Sequence, residues 1–238
     1  MIHWLFSIRP MGNLFPRWAN LLPLKIALFL GFAATTVVLG FAYYATPKAT
    51  RVGYMPDQPV PFSHKLHAGD LGMDCRYCHS QVEQSNHSNL PTAQTCWNCH
   101  SQVKTNSPKL AAVKEAVDTG KPIRWVQIHE TPDYVYFNHS AHVNSGVSCV
   151  SCHGRVDQME VVFHDQPHSM SWCLDCHRNP ENSLRPVEQV TNLGWTAADH
   201  PEVVVDGVAK KLTQQELGAM LKGQWKVQPP ETCGACHR

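Results

Sequence analysis

Charge is scarce in this chain: Asp, Glu, Lys and Arg make up 16% of its 238 residues, against about 25% in an ordinary globular protein. The formal net charge of +1 leaves no basic footprint, which excludes nucleic acid as a partner. Long apolar runs are scarce too. Only one reaches the length of a membrane span, which excludes a polytopic membrane protein, while a hydrophobic content of 43% excludes a fully disordered chain. There is no stray cysteine. What the sequence holds in excess is cysteine and histidine, ten and fifteen residues, and they are ordered.

All ten cysteines fall into five copies of Cys-x-x-Cys, each followed at once by histidine: Cys75, Cys78, His79; Cys96, Cys99, His100; Cys149, Cys152, His153; Cys173, Cys176, His177; and Cys233, Cys236, His237. Cys-x-x-Cys-His is the attachment signature of c-type haem, in which two thiols form thioethers with the porphyrin vinyls and the histidine is held under the iron. A disulfide framework explains an even cysteine count but not the histidines. Zinc sites of four thiolates leave one of five pairs unmatched. Thioredoxin-like pairs need a βαβ pattern that is missing here. The reading is five covalently attached haem c groups, with His79, His100, His153, His177 and His237 as proximal ligands.

That load sets the expected fold. About 190 residues follow the apolar run, roughly 38 per motif, too few for a side-chain core around each. The fold class expected is a multihaem cytochrome c with short helices and loops wrapped on haems, little regular secondary structure, and porphyrin supplying most of the apolar interior.

Residues Ile26 to Ala45 carry no charge over twenty positions and are flanked by Lys25 and Lys48, as expected of a single uncleaved transmembrane helix. A lead over 1–25, with Trp4, Phe6, Phe15 and Trp18, is expected to be cytoplasmic or interfacial, and Arg9, Arg17 and Lys25 agree with that side. Because haem c is attached on the outer face, the remainder is expected on the periplasmic side of a bacterial inner membrane.

The remainder repeats. "PFSHKLHAGDLGMDCRYCHS" at 61–80 aligns with "YFNHSAHVNSGVSCVSCHG" at 136–154 at an offset of 75, slipping to 74 at Cys75 and Cys149. Cys96 and Cys173 follow at 77, and His87 corresponds to His164. The expected organisation is a two-haem module over 46–106, a linker over 107–132, a second two-haem module over 133–185, and a C-terminal extension over 186–238 with the fifth motif. Within the linker, Ser107, Pro108 and Gly120 predict a helix over 107–120 with Ser107 as its cap. Thr213 and Glu216 predict a capping box, with Leu217, Met220 and Leu221 on one packed face. Residues 123–137 read as short extended pieces.

Five six-coordinate irons need five distal ligands. The repeated Phe-x-His-x-x-His supplies His64, His67, His139 and His142. The fifth is sought among Met170, His164, His168, His129, His87 and His200; thioether ligation by Met170 would raise one potential above its bis-histidine neighbours. His3 lies before the span. No motif is altered to Cys-x-x-Cys-Lys, so electron transfer is a simpler use than chemistry at an open iron.

The lead "FPRWANLLPL", the two Phe-x-His-x-x-His modules of c3/c7 character, "TCWNCH", "YFNHSAHVNSGVSCVSCHG" and "SMSWCLDCHR" together resemble the pentahaem cytochrome subunit of alternative complex III, over most of 14–180 and the last motif. That resemblance implies a class III, c3/c7-like fold and a membrane-anchored subunit of a quinol:electron-acceptor oxidoreductase. Its implied partners are an iron–sulfur subunit, polytopic quinol-binding subunits and a monohaem cytochrome c or terminal oxidase. It also implies one histidine/methionine haem, for which Met170 is the matching position. A small membrane-anchored multihaem quinol dehydrogenase feeding periplasmic reductases is the alternative, and a catalytic multihaem reductase a third.

Overall fold

The structure is a computed structural model, and it describes residues 15–45, 50–205 and 208–237. The expectations for Trp4, Phe6, Arg9 and His3 lie outside the described residues. The chain divides into two compact units, 1–49 and 50–238.

In the first unit a 3₁₀ turn, Arg17–Leu21, leads into helix α1, Leu22–Ala45. Pro23 falls in its first turn, where a missing N–H costs nothing. Thr35 and Thr36 return their hydroxyls to the carbonyls of Gly31 and Phe32 at 2.8 and 2.9 Å, so neither leaves a polar group without a partner. The helix starts at Leu22 rather than Ile26, because Lys25 limits burial in lipid but not helix formation. Its 24 residues span roughly 36 Å at the α-helical rise, enough by length and composition to cross a bilayer core of about 30 Å; none of its side chains is buried within the unit.

The second unit is a series of short helices: α2 (Cys75–Cys78), α3 (Ala93–His100), α4 (Ala111–Thr119), α5 (His139–Asn144), α6 (Cys149–His153), α7 (Met170–Arg178), α8 (Gln214–Trp225) and α9 (Cys233–Cys236). The only sheet among the described residues is the hairpin β1 (Val203–Val205) and β2 (Val208–Lys210). The motif helices start where the sequence places a small polar cap. Asp74, Ser148 and Ser169 accept the amides of Arg76, Val150 and Trp172, satisfying donors that a helix start leaves open.

The one-residue slip in the repeat has a structural counterpart. Eight positions separate His67 from Cys75, and seven separate His142 from Cys149. The longer first copy forms a π-helical turn, Lys65–Asp70, closed by Leu71 N–H donating to Leu66 O at 3.0 Å, where the second copy forms α5. One inserted residue is absorbed as one wider turn.

The predicted linker helix is present as a 3₁₀ turn, Pro108–Leu110, running into α4 and stopped by Gly120 in the left-handed region at φ 70°. Ser107 precedes it in extended conformation without a side-chain cap bond, a correction to the expected cap. Residues 123–137 form no strand. Instead the Gln58 amide plays the part of a neighbouring strand, donating to Val126 O and accepting from Val126 N–H, both at 2.9 Å.

The larger core cluster lies toward the C-terminus: Leu184, Trp195, Ala197, Leu212, Leu217 and Leu221. Helix α8 has the expected capping box and buries Leu217 and Leu221, but Met220 is turned outward, 37% exposed. The helix packs on the Pro180–Asn182 turn so closely that Gly218 faces the Glu181 carbonyl with no room for a Cβ. A second cluster, Val82, Val143 and Val190, joins residues from both repeats and the extension. The extension has a single motif and enough chain to pack on itself, whereas the only cluster among the described residues that draws on both repeats is the small one of Val82, Val143 and Val190.

Candidate functional site

Both cysteines of each motif lie three apart on a helical turn and so share a face, and all ten thiols are free of disulfides. Each motif histidine ends or follows its turn. What fixes the imidazoles is main chain. Nδ1 of His79, His100, His177 and His237 bonds the carbonyls of Asn89 (2.8 Å), Val103 (2.9 Å), Pro230 (2.7 Å) and Tyr134 (3.3 Å). His67, His139 and His142 do the same to Ser63 (2.8 Å), Asn86 (2.8 Å) and Asn138 (2.7 Å). A carbonyl can only accept, so each ring carries its proton on Nδ1 and presents Nε2 as a bare lone pair, the form a metal takes. Asn89 reaches its position through a left-handed backbone at φ 50°, which asparagine tolerates better than most residues.

The rings come in facing pairs. His67 and His100 stand 6.2 Å apart between centroids, His142 and His177 6.1 Å, and His139 and His153 6.5 Å. Two metal–nitrogen bonds of about 2 Å plus the two ring radii give roughly 6.3 Å across a bis-imidazole metal, so each gap suits one iron. His64 and His79 are the residues that correspond, by the repeat, to His139 and His153.

Phe62 and Phe137, aligned in sequence without an assigned role, orient these histidines. Phe62 stacks on His67 (4.3 Å, 26°) and meets His64 edge-on (4.8 Å, 88°). Phe137 stacks on His142 (4.5 Å, 27°) and meets His139 edge-on (4.8 Å, 87°). The sequence repeat is therefore a repeat of side-chain geometry as well. Both histidines of each Phe-x-His-x-x-His copy rest on one phenyl ring.

Burial favours the neutral form of four of these imidazoles. It pushes His64 down to about 4, with His79 and His67 adding to the effect, and lowers His139, His142 and His153. Burial likewise raises the thiols of Cys78, Cys152 and Cys173, Cys152 to about 12. Their thiol neighbours contribute: Cys96, Cys75 and Cys99 to Cys78, Cys176 and Cys173 to Cys152, and Cys236 and Cys176 to Cys173.

The remaining candidates separate. His87 and His164 correspond in sequence but not in environment: His87 is exposed, whereas His164 is buried, 1% exposed, with Nδ1 on Ile128 O at 3.2 Å. His129 packs beside His164 and His168 at 5.3 and 5.8 Å. At 4.4 Å from His153 it is too near to share an iron with it. His168 has a left-handed backbone, φ 44°, and donates from Nε2 to Cys152 O at 3.0 Å, so its usual ligating nitrogen is occupied. His200 bonds Pro201 O through Nδ1 at 2.8 Å. Met170 opens α7 and is 62% exposed.

The residues fit haem on their own chemistry. Among the described residues His129 and His164 each bury an Nε2 without a hydrogen-bond partner, and His64 buries its Nδ1 likewise, a cost protein interiors rarely bear without a further group nearby. Together with ring gaps sized for iron beside paired thiols, this defines a multihaem cytochrome c. The family described as class III cytochrome c matches residues 42–131, and that described as cytochrome c7 and related cytochrome c matches 135–238. The fold class is the c3/c7-like class III, with covalently bound haem c. The chain is also 38% identical over 123 residues to the multihaem cytochrome c subunit of a menaquinone reductase from Nitratidesulfovibrio vulgaris Hildenborough, a match covering 51% of this chain and 57% of that protein. It is a multihaem cytochrome c similar, over about half of each chain, to that menaquinone reductase subunit.

Proposed function

We propose that this chain is the membrane-anchored electron carrier of a quinol oxidoreductase of the alternative complex III type, holding five haems c on the periplasmic side of a bacterial inner membrane. The observation that carries this reading is the set of three facing imidazole pairs at 6.1–6.5 Å, each of which would hold an iron between two imidazoles, an arrangement suited to electron transfer rather than to substrate binding. Haem supplies an iron that alternates between ferric and ferrous. The chain's own part is to hold ten cysteines for attachment, to set Nε2 of His79, His100, His153, His177 and His237 on one side, and to set His64, His67, His139 and His142 on the other. Helix α1 anchors the chain, and iron–sulfur, polytopic quinol-binding and monohaem cytochrome subunits are its partners.

For the fifth iron we retain Met170 over His164, His168, His129 and His87. Met170 lies one turn along α7 from Cys173, whose thiol Cys236 influences, whereas His129 and His168 stand 4.4 and 6.2 Å from His153 and His164 packs against those two. Met170→Ala is expected to lower one potential of the five in a spectroelectrochemical titration; five unchanged potentials would move the assignment to a histidine.

The menaquinone reductase relationship favours a second reading in which electrons run toward quinone. Stopped-flow spectra of the intact complex distinguish the two. Reduction of oxidised haems by a menaquinol analogue supports quinol oxidation. Oxidation of pre-reduced haems by the quinone, without the reverse reaction, supports the second reading, and neither would remove the quinone link.

A further inference from the structure

The extension does more than carry the fifth motif. Val190 O accepts from Ser148 Oγ at 2.6 Å and from Cys149 N–H at 3.4 Å. The next carbonyl, Thr191 O, accepts from the Cys75 thiol at 3.9 Å, and Thr191 Oγ1 donates to Asp74 Oδ2 at 3.1 Å. Two consecutive residues thus grip the cap and first cysteine of one motif in each repeat. The first cysteines of the two repeats, Cys75 and Cys149, are thereby held at adjacent carbonyls, Thr191 O and Val190 O; with haem attached both sulfurs would be thioethers, and the bonds made by Ser148, Cys149 N–H and Asp74 would remain.

The other junctions are also bridged. Asn98, inside the second motif, donates to the Tyr77 hydroxyl inside the first at 3.3 Å. His168, two residues before α7, bonds Cys152 O of the third, and Arg185 N–H, after the fourth, donates to Gly146 O before the third at 3.0 Å. His177 of the fourth motif bonds Pro230 O, and Arg178 pairs with Glu231 at 3.2 Å, both just ahead of the fifth. Among the described residues no hydrogen bond joins the second motif to the third, fourth or fifth.

We propose that Val190 and Thr191 clamp the first motif of each repeat side by side, so that the motifs run in space as second, first, third, fourth, fifth, and that electrons cross between repeats at the Cys75–Cys149 edge. Chain order and electron order then differ, and the termini of the path are the second and fifth motifs. Each step moves one electron from a ferrous to a ferric iron, with no bond made or broken and no proton transferred. The inference rests on haem occupancy of all five motifs, which the intact mass of the chain tests separately.

The test uses the full-length holoprotein in detergent, reduced to its diamagnetic state, and reads nuclear Overhauser contacts between thioether protons of different haems. Contacts between the haems on Cys75 and Cys149 are expected, with none between those on Cys96 and Cys149. The clamp is tested by Thr191→Val, which keeps the shape but removes the donor to Asp74. Weakening of the Cys75–Cys149 contact alone, with contacts inside each repeat unchanged, supports it; an unaltered contact overturns the clamp. Five haem masses with no Cys75–Cys149 contact in the native chain would overturn the order, while fewer than five masses would overturn the occupancy beneath it.

Discussion

Gly218→Ala is expected to destabilise the holoprotein although it replaces glycine with the best helix former. In an open helix interior that change gains about 0.5–1 kcal/mol. Gly218, however, sits where α8 presses on the Glu181 main chain, and a Cβ there would overlap the carbonyl and its neighbouring carbons. Backbone cannot rotate aside as a side chain can, so α8 must lift from Leu184 and Trp195. Overpacking of this kind costs about 1–3 kcal/mol or more, which for a unit of this size lowers the melting temperature by roughly 2–12 °C. Gly223→Ala in the same helix is the control: nothing lies within 4 Å of its Cβ position, and it is expected to raise the melting temperature slightly. If both variants shift in the same direction, the packing of α8 on the Glu181 turn is wrong.

His142→Met is expected to raise the potential of a single haem. His142 faces His177 at 6.1 Å and is held from behind by Asn138 O and by the Phe137 ring. A thioether favours ferrous iron relative to imidazole, and axial ligation commands a span of about 0.8 V, so one exchange should move the titration on the order of 0.1–0.2 V. The haem on Cys173 and Cys176 should shift and gain a thioether–iron charge-transfer band. A broad shift of several haems, or none, would show that His142 does not face His177 across an iron.

The attachment chemistry was readable from the sequence because it is local: Cys-x-x-Cys-His is five adjacent residues. So were α4 and the capping box of α8, whose signals lie within one helix. The offset slip from 75 to 74 signalled the π turn at Lys65–Asp70, yet only coordinates show where an extra residue is absorbed. The partner of α8, the outward turn of Met220, and the different fates of His87 and His164 depend on contacts far along the chain. Val190 and Thr191 gave no signal at all, since their contribution is made largely by carbonyl oxygens that every residue possesses. The roles of Phe62 and Phe137 could have been found from the repeat, because an aromatic fixed two residues before one histidine and five before another reaches both.

The same dependence on main chain bears on how this protein can change over evolutionary time. The Nδ1 protons of His67, His79, His100, His139, His142, His177 and His237 all go to backbone oxygens. No single point mutation deletes such an acceptor, as it would delete a carboxylate or an amide. The basicity of these imidazoles is therefore insulated from ordinary sequence drift. Selection on the potentials must act instead through solvent access, surface charge or an exchanged ligand, and sequences of this kind can diverge widely between their motifs while keeping the same electrochemical ladder.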